Sequence, residues 1–433
     1  MGNELNNSFF MKLPLFISLV FCFPLIALAQ TECRSEMYKA TLLRQSPALA
    51  SKVADIESFT QNWLSQKGTS INGAQSGYNG SVLITIPVVV HIVYNTPGQN
   101  ISDNQINSQI QVLNNDYYRL NADTSNTPDL FKPFAASCDF QFVLANVAPN
   151  GMPTTGIIRK QTAINGFNID DRIKYSIKGG DDAWDAASYL NIWVGNLASG
   201  ILGYSSVPGC SKEIDGVVVS SSCFGTLGNL MAPFNKGRTT THEIGHWLNL
   251  IHTWGDAICG DDRVDDTPPQ KGPNRGCPGE ITITCGSGPF GDMYMNYMDF
   301  TNDACMNLFT NGQRDRMRSL FAAGGVRNSI LSSPAAVASS NSKSDAPIPT
   351  KDDGNPGMQI YPNPSVSLVT VQLPDSMDFP VQLSLYNVTG QPVMTFWGYQ
   401  HIQQINVVAL SAGVYYLKAE NSKFRKVARM VKM

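Results

Sequence analysis

Histidine is scarce in this chain, with five in 433 residues. Charge is scarce too: Asp, Glu, Lys and Arg make up 15%, below the roughly 25% of an ordinary soluble protein. Lys and Arg number 31 against 34 Asp and Glu, a net charge of -3. That balance excludes the basic excess of a nucleic-acid-binding protein. Long apolar runs are missing after Leu28, so no stable membrane span is expected.

The single long apolar run is "LPLFISLVFCFPLIAL", Leu13 to Leu28, preceded by Lys12 and interrupted by Pro14 and Pro24. It is shorter than the roughly 20 residues of a spanning helix. It closes on Ala27-Leu28-Ala29, an A-x-A cleavage signature. We expect a signal peptide over residues 1–29, the alternative being an amino-terminal membrane anchor. Export leads to an oxidising compartment, where cysteines pair. Of nine cysteines, Cys22 leaves with the signal. The rest allow on the order of a hundred pairings. Cys210 and Cys223 flank the strand-like "GVVVSSS" and could staple it.

From Cys33 to about Gln66, apolar residues recur at helical spacing: Met37, Leu42, Leu43, Leu49, Val53, Ile56, Phe59, Trp63. A Gly/Ser/Asn-rich stretch follows, so 30–80 reads as a pro-segment and linker. "VLITIPVVVHIVYN" is a strand by its β-branched run. Ser102 should cap a helix that presents Ile106, Ile110 and Leu113 on one face. Strands first and helices later point to an α+β domain over 81–325. Residues 326–357 are Ser/Ala/Pro-rich and read as a low-complexity linker. The remainder, 358–433, alternates apolar and polar residues between turns, the pattern of a small β-sandwich.

Three of the five histidines fall within eleven residues, in "HEIGHWLNLIH". His242 and His246, four apart, share one face of a helix. Glu243 lies beside them. This is H-E-x-x-H, two zinc ligands and a general base. Zinc would lower the pKa of a bound water to near 7 and polarise a substrate carbonyl, and Glu243 would shuttle the proton to the leaving amine. For His252 to supply a third ligand, the helix must stop and turn. Glycine commonly makes that turn. Here Asn249 stands there, the next residue most tolerant of positive φ. With the glutamate required, chance produces this pattern in roughly one chain in ten thousand. The bland readings are inert histidines, or a non-catalytic metal site.

These residues resemble the metzincins, and more narrowly the pappalysin/cytophagalysin family. The match rests on "HEIGHWLNLIHTWGD", "DDRVDDTP", "GCPG", "MNYMDF" and "CMNLFTNGQRDRMR", with "IPVVVHIVYN" and "PNGMPTTGIIRK" upstream. The resemblance implies a zincin-like catalytic domain and a zinc-dependent endopeptidase acting on proteins or peptides. It implies that Met298 forms the floor beneath the histidines. It implies a calcium loop using Asp262, Asp265, Thr267 and the Val264 carbonyl; a solvated acidic turn is the plain alternative. It also implies disulfides Cys259–Cys285 and Cys277–Cys305. "GILGY" would be the edge strand that pairs with an extended substrate. Asp303 would lie near the pocket for the residue after the scissile bond and favour a basic side chain there. Phe300 stands where the family has a tyrosine supporting the oxyanion, so one hydroxyl is missing.

Cys33 is either a latency ligand for the zinc or the partner of Cys138. The carboxy-terminal block, through "IYPNPS", "LYNVTGQPV", "LSAGVYYLK" and a basic end, resembles the type IX secretion sorting domain. Its implied partner is the secretion machinery; a surface-binding module is the alternative. The expected protein is a secreted zinc metalloendopeptidase made as a zymogen. The rival is a non-catalytic secreted peptide- or surface-binding protein that keeps the fold. An intact Glu243 weighs against the rival.

Overall fold

The computed structural model describes residues 1–2, 32–69, 83–286, 288–336, 358–365, 368–374, 381–398, 402–407, 410–421 and 425–433. Residues 3–29 of the expected signal peptide and most of both expected linkers lie outside these residues.

The amino-terminal part contributes β1 (Glu32–Cys33), α1 (Ser35–Gln45) and α2 (Pro47–Thr69). The helical periodicity is interrupted between Ser46 and Pro47, because the residue before proline avoids helical angles while proline suits a first turn. Next come β2 (Ile84–Tyr94), α3 (Asp103–Tyr117), β3 (Ala135–Ala136), β4 (Phe140–Leu144), β5 (Ile157–Gln161), β6 (Leu190–Gly195), β7 (Ile201–Ser205) and β8 (Gly216–Ser220). Then follow α4 (Arg238–Trp247), β9 (Phe309–Thr310) and α5 (Asn311–Ser319).

The main sheet runs β1-β7-β8-β6-β2-β4, with β5 also on β2. Strand β2 is buried on both faces, which explains its mostly β-branched sequence. Strand β7 is the antiparallel member, and β1 pairs with its free edge in parallel. Ser102 caps α3, its hydroxyl accepting from the Gln105 N–H at 3.2 Å. Helices α3 and α4 share the large core under the sheet: Ile106, Leu113 and Tyr117 meet Ile244, Trp247 and Leu248. This packing fixes α4 beneath the β7 edge.

The amino-terminal helices dock on that body. Glu57 of α2 forms a double hydrogen bond with Arg316 of α5 and pairs with Arg263 at 3.0 Å. Burial pushes the Glu57 pKa up, but the Arg316 contacts, with Gln61 and Arg263, reverse this and hold it at about 2. Arg316 also donates to the Asn249 carbonyl at 2.8 Å, so this docking contact reaches the turn after α4.

The expected linker start at residue 326 requires a correction. Ile330 and Ala335 are buried, and Arg327 pairs with Asp215, so 326–336 continue the packing of the preceding domain. Low complexity here hid a few apolar anchors. Further on, two sheets, β10-β11-β14 and β13-β12-β15-β16, enclose one core of Val371, Leu383, Leu385 and Leu417. Their strands are β10 (Gln359–Tyr361), β11 (Leu368–Gln372), β12 (Val381–Asn387), β13 (Pro392–Gly398), β14 (Ile402–Asn406), β15 (Gly413–Glu420) and β16 (Arg425–Lys432).

Candidate active site

Helix α4 carries His242 and Glu243, both buried, and His246, which is partly buried. Its amino end is held by Asp303, whose carboxylate accepts from the backbone N–H groups of Lys236 (2.7 Å) and Arg238 (3.3 Å). Its carboxy end closes in a Schellman motif: Leu250 N–H bonds the Gly245 carbonyl and Asn249 N–H bonds the His246 carbonyl, both at 2.9 Å. Asn249 has φ 70°, the left-handed turn that its position required. The chain thereby reverses and delivers His252.

The three Nε2 atoms converge. His246 Nε2 lies 3.1 Å from both His242 Nε2 and His252 Nε2. Each ring donates its Nδ1–H outward: His242 to the Tyr297 carbonyl (2.6 Å), His246 to the Leu250 carbonyl (2.9 Å), His252 to Asp256 (2.5 Å). Those bonds set the tautomer, so three lone pairs face one point. Burial lowers all three pKa values, that of His242 to about 4. Neutral imidazoles with crowded lone pairs repel unless a cation lies between them. The donor set therefore fits a borderline-soft divalent metal such as zinc.

Cys33 Sγ lies 3.6 Å from His246 Nε2, and its ligand atom falls within 4.8 Å of all three histidine ligand atoms. The Cys33–Cys138 alternative is not realised: both are free, and Cys138 is buried in the core beside Tyr117. Ser35 donates to Glu243 Oε2 at 2.7 Å and accepts from the Ser205 N–H at 2.8 Å. Burial raises the Glu243 pKa to about 7 against the hydrogen bonds of Ser35 and Cys33. A side chain at Gly203 would meet Glu243 at 3.0 Å, so glycine lets the edge strand pass over the carboxylate. On the other side of α4, Gly245 lets Met298 approach. A Cβ there would meet its sulfur at 2.4 Å, and Met298 is fully buried.

Phe300 stacks edge-on with His252 and Trp254, at 4.8 and 4.9 Å between centroids. The Tyr297 hydroxyl is engaged by Arg238, away from the histidines. Asp303 lines the same pocket as His242, Glu243 and Phe300. Burial lifts its pKa to about 6, opposed by the two backbone donors.

Residues 174–322 match the family described as pregnancy-associated plasma protein-A. Extracellular metalloprotease 1 of Coccidioides posadasii is 34% identical over 254 residues, covering 55% of this chain and 77% of that one. The chain belongs to the pregnancy-associated plasma protein-A family.

This pappalysin also resembles mature mirolysin of Tannerella forsythia in complex with a cleaved peptide, with a TM-score of 0.57 and 49% identity over 58% of this chain and 97% of that one. Promirolysin of the same organism gives 0.62 and 44%, over 69% and 96%. Residues 359–433 match the secretion system C-terminal sorting domain. The pappalysin is a secreted zinc metalloendopeptidase with a metzincin fold, acting on proteins or peptides. Among its described residues, no helix is long and apolar enough to cross a membrane.

Beside the pappalysin's site, Cys259 is bonded to Cys285 and Cys277 to Cys305. The staple between Cys210 and Cys223 is a correction: both are free and buried. They stand beyond opposite ends of β8, whose five residues span roughly 17 Å. A disulfide needs Cα atoms within about 7 Å. In the acidic loop, Asp262 is buried and accepts from the Thr267 hydroxyl at 2.7 and 2.8 Å. That hydroxyl lies 2.7 Å from the Val264 carbonyl, while Asp265 is exposed. Burial raises the Asp262 pKa to about 7, against Thr267 and the Val264 N–H.

Sequence reasoning missed Ser35, Asp256, Gly203 and Gly245. Only Asp256 left a signal, four residues after His252, and that spacing is common by chance.

Proposed function

We propose that His242, His246 and His252 hold the catalytic zinc and that Glu243 is the general acid/base of peptide hydrolysis. The supporting observation is the convergence of three neutral imidazoles beside one buried carboxylate. Zinc, when bound, supplies a Lewis acid that polarises the scissile carbonyl and acidifies the attacking water. Glu243 takes the proton from that water and passes it to the leaving nitrogen. A pKa of about 7 suits a group that must both accept and donate. The β7 edge aligns the peptide by main-chain pairing, as it does β1. Phe300 offers no hydroxyl to the oxyanion, so the charge is stabilised without a side-chain donor from that position.

In the same reading the chain is a zymogen, with signal 1–29, pro-segment and linker 30–80, catalytic domain 81–336, linker 337–357 and sorting domain 358–433. Cys33 is the latency ligand, opposite the histidines, while Ser35 occupies the base. A calcium ion is held by Asp262, Thr267 and the Val264 carbonyl, with Asp265 turning in from the surface. One experiment tests this set on the full chain. Cys33→Ala should raise casein hydrolysis at least tenfold over wild type. Chelation should abolish it, zinc should restore it, and calcium should recover the melting temperature. Activity indifferent to chelation would sink the metal assignment.

Asp303 selects arginine or lysine after the scissile bond. Its carboxylate borders the pocket, and peptide-library profiling should show that preference weakened by Asp303→Asn. Uniform acceptance by the parent enzyme removes the idea. The sorting domain is the part handled by the secretion machinery. A chain ending at residue 357 should stay inside the producing cell, and its undiminished release would contradict the assignment.

A further inference from the structure

A second side chain of the amino-terminal segment enters a pocket on the opposite face of the sheet. Tyr38 of α1 is 1% exposed. Its ring meets Tyr204 edge-on, with centroids 4.9 Å apart, and packs in a cluster with Trp193 and Val218. Its hydroxyl donates to the Asp171 carboxylate, at 2.6 and 2.7 Å from the two oxygens. The same hydroxyl accepts from Lys174 Nζ at 3.1 Å. Lys174 is fully buried, donates also to the Ile214 carbonyl at 2.9 Å and lies 3.0 Å from Asp171. Its ammonium faces the rings of Tyr38, Trp193 and Tyr204 at 4.8, 5.5 and 5.1 Å.

The pocket reads a phenol and not merely a ring. The Tyr38 oxygen gives one hydrogen bond to an anion and takes one from a cation, so a phenylalanine would leave the buried Lys174 and the partly buried Asp171 each a partner short. Burial, then the Asp171 charge, push the Tyr38 pKa far up and keep the donor protonated. Asp171 is held at φ 60°, a conformation that costs energy in a non-glycine residue and is frequent in ligand clamps. Successive side chains of β7 point to opposite faces. Gly203 lies over Glu243, and Tyr204 walls this pocket. The segment itself shows the path, pairing Cys33 with Gly203 and reaching the pocket five positions later.

We propose that this pocket is a tyrosine-recognition site: Tyr38 fills it in the latent chain, and after the pro-segment leaves it takes a tyrosyl side chain of the polypeptide substrate. The second occupant rests on the peptidase reading; the pocket's chemistry does not.

The first test uses the full chain and thermal melting. In Tyr38→Ala, millimolar phenol should raise the melting temperature by several degrees. It should leave wild type unmoved, and benzene should give less than half the shift. Equal shifts with benzene, an equal shift in wild type, or no shift in the variant overturn the proposal. Should Tyr38→Ala not fold, Tyr38→Phe gives the fallback: it should melt lower than wild type, and unchanged melting would overturn the phenol reading. The second test compares peptides with Tyr or Phe at each position around the scissile bond, using the matured enzyme. One position should lower KM several-fold for Tyr with kcat unchanged. Turnover that nowhere distinguishes Tyr from Phe overturns the substrate occupant. Absence of all turnover would overturn the peptidase reading instead, and the phenol shift would stand apart from it.

Discussion

Glu243→Ala, made in the Cys33→Ala background so that latency does not limit the rate, should lower kcat by about a thousandfold. The expectation follows from Glu243 lying between the two histidines of α4 in sequence, whereas the Asp303 carboxylate in the same pocket is engaged by the backbone N–H groups of Lys236 and Arg238. The Glu243 side chain is fully buried, and Oε1 has no hydrogen-bond partner among the described residues. A general base in such a position contributes roughly 10² to 10⁴ in rate. Zinc content should remain at one per chain, because the three imidazoles are oriented by Tyr297, Leu250 and Asp256 and not by Glu243. Glu243→Gln, which keeps shape and removes basicity, should be as inactive. Metal analysis beside casein turnover checks both halves. Equal turnover by parent and variant would end the proposed mechanism, and loss of metal would show that the carboxylate is structural.

Arg327→Ala should cost about 3–5 kcal/mol of stability, the range for breaking a buried ion pair. The Arg327 guanidinium lies 3.6 Å over the Trp247 ring, donates to the Trp247 carbonyl and pairs with both oxygens of Asp215. Asp215 in turn accepts from the Trp247 indole N–H at 2.7 Å. Trp247 is the last residue of α4, so this buried cluster braces the helix that carries His242 and His246. Removing the guanidinium leaves a carboxylate buried without its cation. The melting temperature should fall by roughly 10 °C in a domain of this size. Arg327→Met with Asp215→Leu should recover part of the loss, since it removes both charges together. A fall of under about 2 °C for the single variant would refute the brace.

Much of the site was legible because it is local. The pairing of His242 with His246 follows from the helical period. The need for a left-handed residue before His252 follows from the direction in which a continued helix would point. Asn249 meets that need with the bonds expected of a Schellman turn. Cys210 and Cys223 show the opposite case. Nearness in sequence suggested a staple, yet an extended strand between two residues separates them. The linker start at 326 shifted for a different reason. Its composition is dominated by Ser, Ala and Pro, and composition averages over the few residues that are buried, Arg327, Ile330 and Ala335.

The sequence by itself determined the chemistry we propose: candidate ligands, base, turn and metal class, all read from side-chain identity and short-range geometry. Tertiary structure decided what surrounds that chemistry. It brought Ser35 to Glu243, Cys33 to the histidines, Tyr38 to Lys174 and Arg327 to Asp215. Each pair is more than a hundred residues apart. Their meeting depends on the order of strands in one sheet and on which edge the amino-terminal segment joins. No local pattern encodes that order, because it is selected by burial of the whole core.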